Sequence, residues 1–141
     1  MNPHQQLLAI KAKIDTPEKW VRVSLARDAQ GESCFVFAPE ACSFCMIGAV
    51  TMVVATDKER STAVEGFFDG YEISARHDVT ALIRDAILDV RGVGAEHDTS
   101  SLVTRITAFN DNSHRADDHA GVMLVLDRAA EMALALEEVA A

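Results

Sequence analysis

Aromatic side chains are scarce, at 6% of 141 residues, while apolar residues reach 49%. The apolar content is carried by Ala, Val, Leu, Ile and Met, which favours packed helices over an aromatic-rich sandwich. A slightly positive mean hydropathy excludes a disordered chain. Long apolar runs are also lacking. The longest uncharged stretch, Ala41 to Thr56, contains Ser, Thr and Gly and falls short of the roughly 20 residues a membrane span needs. "MNPHQQLLAIKAK" has too short an apolar run and no small-residue cleavage site, so no export signal is expected. Three cysteines are an odd number without such a signal, which points to reduced thiols in the cytoplasm. Cations are few beyond the N-terminal region. Residues 1–30 carry five Lys/Arg against three Asp/Glu, residues 57–98 five against ten, and residues 110–141 two against seven. With a net charge of −9, this distribution argues against nucleic-acid binding, which needs clustered cations. It suits a basic protein partner. With no internal repeat, linker or low-complexity segment, the chain reads as one domain over 1–141, long enough to bury roughly two thirds of its unfolded surface.

Leu7, Leu8, Ile10 and Ile14 stand near helical spacing and predict a first short helix over 4–14. "DTPEKW" is a start signal: Thr16 caps, Pro17 suits the first helical position, and Glu18 complements the positive helix end. The predicted helix carries Trp20, Val21 or Val23, and Leu25 inward and ends near Gly31. "SCFVF" at 33–37 predicts a short strand. Pro39 then opens an almost charge-free helix, apolar on every face, which belongs in the middle of the core. Gly48 and Ala49 at its centre suggest close approach of a neighbouring helix. A short helix is predicted at 61–68, between Thr56 and the next clean element. That element is "DVTALIRDAILDVRG", where Val79, Leu82, Ile83, Ala86, Ile87 and Val90 form one stripe closed by Gly92 and Gly94. Leu102, Ile106 and Phe109 mark the inward side of a further helix, and a long last helix follows from about Asp118 to Glu138. The expected fold is all-α, a single compact domain of five or six helices with at most one short β-strand pair.

Chemistry, if any, concentrates in "FNDNSHRADDHAGVM" (109–123) and in Cys42 and Cys45. His114 and Asp118 would share a helix face, and Asp111 or His119 could add a metal ligand. However, Asn110 to Ser113 are turn formers, Asp118 is the natural helix cap, and no HExxH or EF-hand spacing is present. Cys42 and Cys45 form a lone C-x-x-C with Cys42 placed in a first helical turn, where a thiol pKa falls, yet no βαβ surroundings accompany it. Free cysteines are otherwise small buried hydrophobes. Cys45 with His114 or His119 would supply the nucleophile and base of a cysteine hydrolase. The candidate cluster is therefore Cys45, Asn110, Asp111, His114, Arg115 and His119.

Several of these residues make a pattern. "C-x-x-G-A" at Cys45, Gly48 and Ala49, "F/W-N-D" at Phe109, Asn110 and Asp111, then Arg115 and "LDRA" at 126–129, with Trp20 after "TPEK", spans about residues 5 to 130. The pattern resembles an uncharacterised family of small bacterial and phage proteins known only as a domain of unknown function. That family usually starts its last helix with Thr and has Glu three residues on. Here Asp118 keeps a cap and Gly121 removes the Glu. Cys42 is not part of the family's pattern. The resemblance implies no activity, and suggests that Cys45, Asn110 and Asp111 answer one shared need. A structural need suffices: Asn110 and Asp111 bond the backbone of their own loop, Gly48 and Ala49 let the last helix pass, and Cys45 is a buried contact beside it. The expected function is a small cytoplasmic accessory protein, phage-like, that binds an unknown and basic protein partner, with no cofactor, metal or membrane. The alternative is a cysteine- or metal-dependent enzyme built on Cys45 and the 110–119 cluster. Apolar helices at 44–56 and 122–136 also suggest a homodimer.

Overall fold

The computed structural model describes residues 1–63, 69–91, 101–111 and 118–140, without the side chains of Asp69, Arg91 and Asp118. Helix α1 (Pro3–Lys13) begins where the sequence places it. Asn2 Oδ1 accepts from Gln5 N at 2.8 Å, and the Gln5 side chain returns to Asn2 N at 3.0 Å, so both satisfy otherwise orphaned donors. Leu7, Ile10 and Ile14 are buried.

The second predicted helix does not form. Only Pro17–Lys19 turn, as one 3₁₀ turn. Beyond it the backbone bonds outward: Val21 N donates to Phe44 O at 3.1 Å, and β1 (Ala26–Arg27) pairs antiparallel with β2 (Ser43–Phe44). Val23 takes φ +68°, a left-handed conformation that ends any helix and is costly for a β-branched residue. Residues 33–37 form no strand either and touch β1 through a single bridge, Arg27 to Ser33.

Helix α2 (Met46–Val54) starts later than Pro39 predicts, because Ser43 and Phe44 are committed to the strand pair. It is buried on nearly every face, with Met46, Ile47, Gly48, Ala49, Val50, Thr51 and Val54 inside. Burial of each large side chain stabilises the fold by about 1.5–3 kcal/mol, so α2 belongs at the centre. α3 (Asp57–Thr62) follows a Thr56–Glu59 capping box, and α4 is Asp69–Ala75. The helix predicted at 61–68 thus has its start inside α3, while residues 64–68 lie outside the described residues.

α5 (Asp78–Arg91) realises the predicted stripe. Val79, Ile83, Ala86 and Ile87 are buried, but Val90 is 42% exposed at the far end. Gly92 and Gly94 lie outside the described residues. α6 (Leu102–Asp111) buries Ile106 and Asn110, and α7 (Asp118–Ala140) closes the chain. The class is all-α with one two-stranded ribbon, and seven α-helices stand among the described residues. α4 is the helix the sequence did not predict, a short element in a stretch without strong periodicity.

α2 packs on α1, α4 and α6, while α7 lies along α1 and α5. The α1–α7 seam is antiparallel and pinned at intervals: His4 Nδ1 to Ala130 O at 3.1 Å, Lys11 Nζ to Asp127 Oδ1 at 2.6 Å, and His119 Nε2 to Ile14 O at 2.7 Å.

Candidate functional site

Asn110 is the hub. Its side chain leaves the last turn of α6 and is 1% exposed. Oδ1 accepts from Trp20 Nε1 at 2.7 Å and from Met46 N at 3.0 Å, while Nδ2 donates to Val21 O at 3.0 Å and to Asp111 Oδ1 at 2.9 Å. An amide offers two donors and an acceptor oxygen with two lone pairs, so its capacity is filled and its orientation is fixed. Asp111 Oδ1 also accepts from Val23 N at 2.9 Å, which holds the left-handed Val23 in place. The loop that the sequence reading has them bond, 112–117, lies outside the described residues. Asn110 and Asp111 reach across the molecule and fasten residues 20–23 and the first turn of α2 to α6.

Cys45 occupies the N-cap of α2, its Sγ accepting from Gly48 N at 3.3 Å. Its backbone N donates to Leu25 O at 3.2 Å. Burial, above all, pushes the thiol up from 9.0 to about 11, and the nearby Asp111 carboxylate adds to the rise, outweighing the Gly48 and Ile47 backbone donors. A helix N-terminus does favour a thiolate, but desolvation of the charged form is larger here. Cys42 is exposed and precedes the helix instead of entering its first turn, and its N donates to Arg27 O at 3.0 Å. All three cysteines are unpaired thiols.

Gly48 has a specific neighbour. A Cβ there would sit 2.0 Å from Leu25 O, so the glycine admits the backbone entering β1. The approaching element is that strand connection and not a helix, contrary to the sequence reading. Trp20 carries the other side of the site. Its ring lies 5.9 Å from the His119 ring and under the Arg22 guanidinium, 4.9 Å from the ring centroid. Because a carbonyl only accepts, His119 must donate from Nε2 to Ile14 O. That carbonyl belongs to the C-cap of α1, so the histidine satisfies a helix-end acceptor.

The structure therefore brings Cys45, Asn110 and Asp111 together around the start of α2, and sets His119 beyond Trp20. His114 and Arg115 lie outside the described residues. No group of three or more His, Cys, Asp or Glu among the described residues could hold a metal ion.

Asp111 has a second environment. It forms one end of an open trough of about 870 Å³ between α4 and α6, together with Tyr71, Glu72, Ala75, Val103, Thr104 and Thr107 among others. Burial is the main reason that the Tyr71 phenol is raised, with the Cys45 and Asp111 charges adding and a bond to Thr107 opposing. Sequence reasoning missed this trough. The polar row Ser101, Thr104, Thr107 and Asp111, at the start of and along α6, is its trace at helical spacing, but nothing in the sequence pairs it with α4.

A family model described as "Family of unknown function (DUF6197)" matches residues 1–132, which includes Trp20, Cys45, Gly48, Asn110 and Asp111. No curated protein and no solved structure matches the chain. With the model matching nearly its whole length, the chain belongs to this family of unknown function.

Proposed function

We propose that this chain is a small cytoplasmic accessory protein of phage or mobile-element type that acts by binding a basic protein partner. The trough between α4 and α6 carries the reading. Ala75, Leu102, Val103 and Ala108 give it apolar surface beside Tyr71 and three hydroxyl-bearing residues, its charged lining residues are Glu72 and Asp111, and no Lys or Arg lines it among the described residues. Contact with an acidic-rimmed apolar surface favours a partner whose cations flank an apolar patch. The buried, protonated Cys45 and the fully bonded Asn110 speak against a thiol nucleophile at this place. Three unpaired thiols fit a reducing compartment. No helix among the described residues is long and apolar enough to cross a membrane. The phage or mobile-element setting rests on the motif resemblance.

A homodimer belongs to the same proposal, on narrower grounds than the sequence offered. α2 is consumed inside the protomer. Leu124 at 56%, Leu136 at 58% and Val139 at 86% exposure leave the apolar surplus on α7. Exposed apolar side chains at several turns of one helix support association.

The test is crosslinking of the tagged chain in cells that naturally encode it, in parallel with a Glu72→Lys/Thr104→Lys variant. A basic protein should be crosslinked to the parent chain and lost with the variant, and in an extract its crosslinking should fall when salt is raised before the reagent is added. Recovery of the same proteins by both chains, insensitive to salt, would overturn the reading.

A further inference from the structure

Helices α1 and α7 share an outer face. The Lys11–Asp127 bond of 2.6 Å crosses their seam at the surface, its side chains 36% and 50% exposed. Residues three apart on a helix lie on the same side, so Leu8 stands beside Lys11 and Leu124 beside Asp127. The flanking bonds, His4 to Ala130 and His119 to Ile14, bring Leu8 and Leu124 level to within about one helical turn, roughly 5 Å. Both leucines are open to solvent, at 50% and 56%, whereas Leu7, Ile10 and Ile14 on α1 and Val122, Val125 and Leu126 on α7 are buried. The core uses the inward stripes and leaves these two outside.

The same face carries both signs of charge, one on each helix. Helix α1 contains Lys11 and Lys13 and no acid. Lys11 lies on this face, and Lys13 beside the Phe44 ring. The exposed side of α7 holds Asp127, Glu131 and, near its end, Glu138. Arg128, the one Lys or Arg of α7, is already held by Asp89 at 2.7 Å and Glu131 at 3.4 Å. A surface with its two signs side by side is complementary to itself after a half turn about an axis along the seam. That turn sets α1 on α7 of a second copy, twice over. A half turn about the perpendicular axis would instead set α7 on α7, with Asp127 and Glu131 facing their own copies, and like charges so placed repel. The first arrangement also makes every neighbouring pair antiparallel, because α1 and α7 already are, which is the geometry of an up-and-down four-helix bundle. The net charge of −9 opposes approach from a distance. At contact, the two strips decide which helix meets which.

We propose that α1 and α7 form an interface with a second copy of this chain, α1 of each lying antiparallel on α7 of the other around a layer made by Leu8 and Leu124. This rests on the homodimer reading and names its face and arrangement.

The experiment uses the full chain with Cys42→Ser, so that the exposed native thiol takes no part. Leu8→Cys and Leu124→Cys versions with tags of different size are mixed in equal amounts and oxidised with copper phenanthroline. Non-reducing gels should show the mixed disulfide at least fivefold above either like disulfide. In the parent chain, Leu8→Glu alone should convert the dimer to monomer in sedimentation velocity. Both positions are exposed, and circular dichroism verifies that each variant keeps its fold. Like disulfides in excess would overturn the arrangement. A dimer indifferent to Leu8→Glu, or joined through neither position, would overturn the face and leave a homodimer standing. If the parent chain is a monomer at every concentration, the homodimer reading falls with the proposal.

Discussion

Asn110 shows how much one residue can organise. Its amide holds four groups from three parts of the chain. Asn110→Ala leaves Trp20 Nε1, Met46 N and Val21 O without that partner, a loss of at least about 3 kcal/mol at about 1–3 kcal/mol per buried group. Urea denaturation followed by Trp20 fluorescence should show the midpoint falling accordingly. Cys45 gives a pH signature. Its folded thiol ionises near 11 instead of 9.0, so the folded state binds the proton more tightly. The stabilisation is complete below 9.0 and is lost as pH rises toward about 11, amounting to about 2–3 kcal/mol. Cys45→Ala should be less stable at neutral pH yet lose less between those limits. In the folded protein at neutral pH, thiol reagents should modify exposed Cys42 well before Cys45. Equal rates would contradict the burial of Cys45.

Among the elements, α2 depends on its entry. Cys45 caps it from within, Asn110 caps it from α6, and Gly48 lets the Leu25 carbonyl approach. Gly48→Ala should raise helix propensity and still destabilise by on the order of 3 kcal/mol or more, since a backbone carbonyl cannot swing aside as a side chain can. Thermal unfolding would measure it, and an unchanged or raised midpoint would reject the close approach. The same neighbourhood explains where sequence reading failed. Trp20, Val21, Val23 and Leu25 have spacing compatible with a helix face, but Asn110, Asp111 and Phe44 satisfy their backbone from outside. By contrast α5, with four buried positions on one stripe, was legible because its period alone decides which face turns inward.

For the whole molecule, a net charge of −9 resists self-association at low salt, whereas Leu124, Leu136 and Val139 on α7 promote it. Sedimentation velocity should therefore show a dimer fraction that grows with salt and disappears in Leu124→Glu/Leu136→Glu. A monomer at every salt concentration would remove the dimer from the proposal. The sequence by itself determined the helical class, the central place of the 46–54 segment and the stripe of α5, because composition and period act locally. It also marked Trp20, Cys45, Gly48, Asn110 and Asp111 as a set. Only the tertiary structure decided what the set does. Asn110 and Asp111 are bonded to residues some 64 to 90 positions away, and the trough is made by α4 and α6, which α5 separates in the chain. Such contacts depend on where the chain returns, which neither propensity nor periodicity encodes.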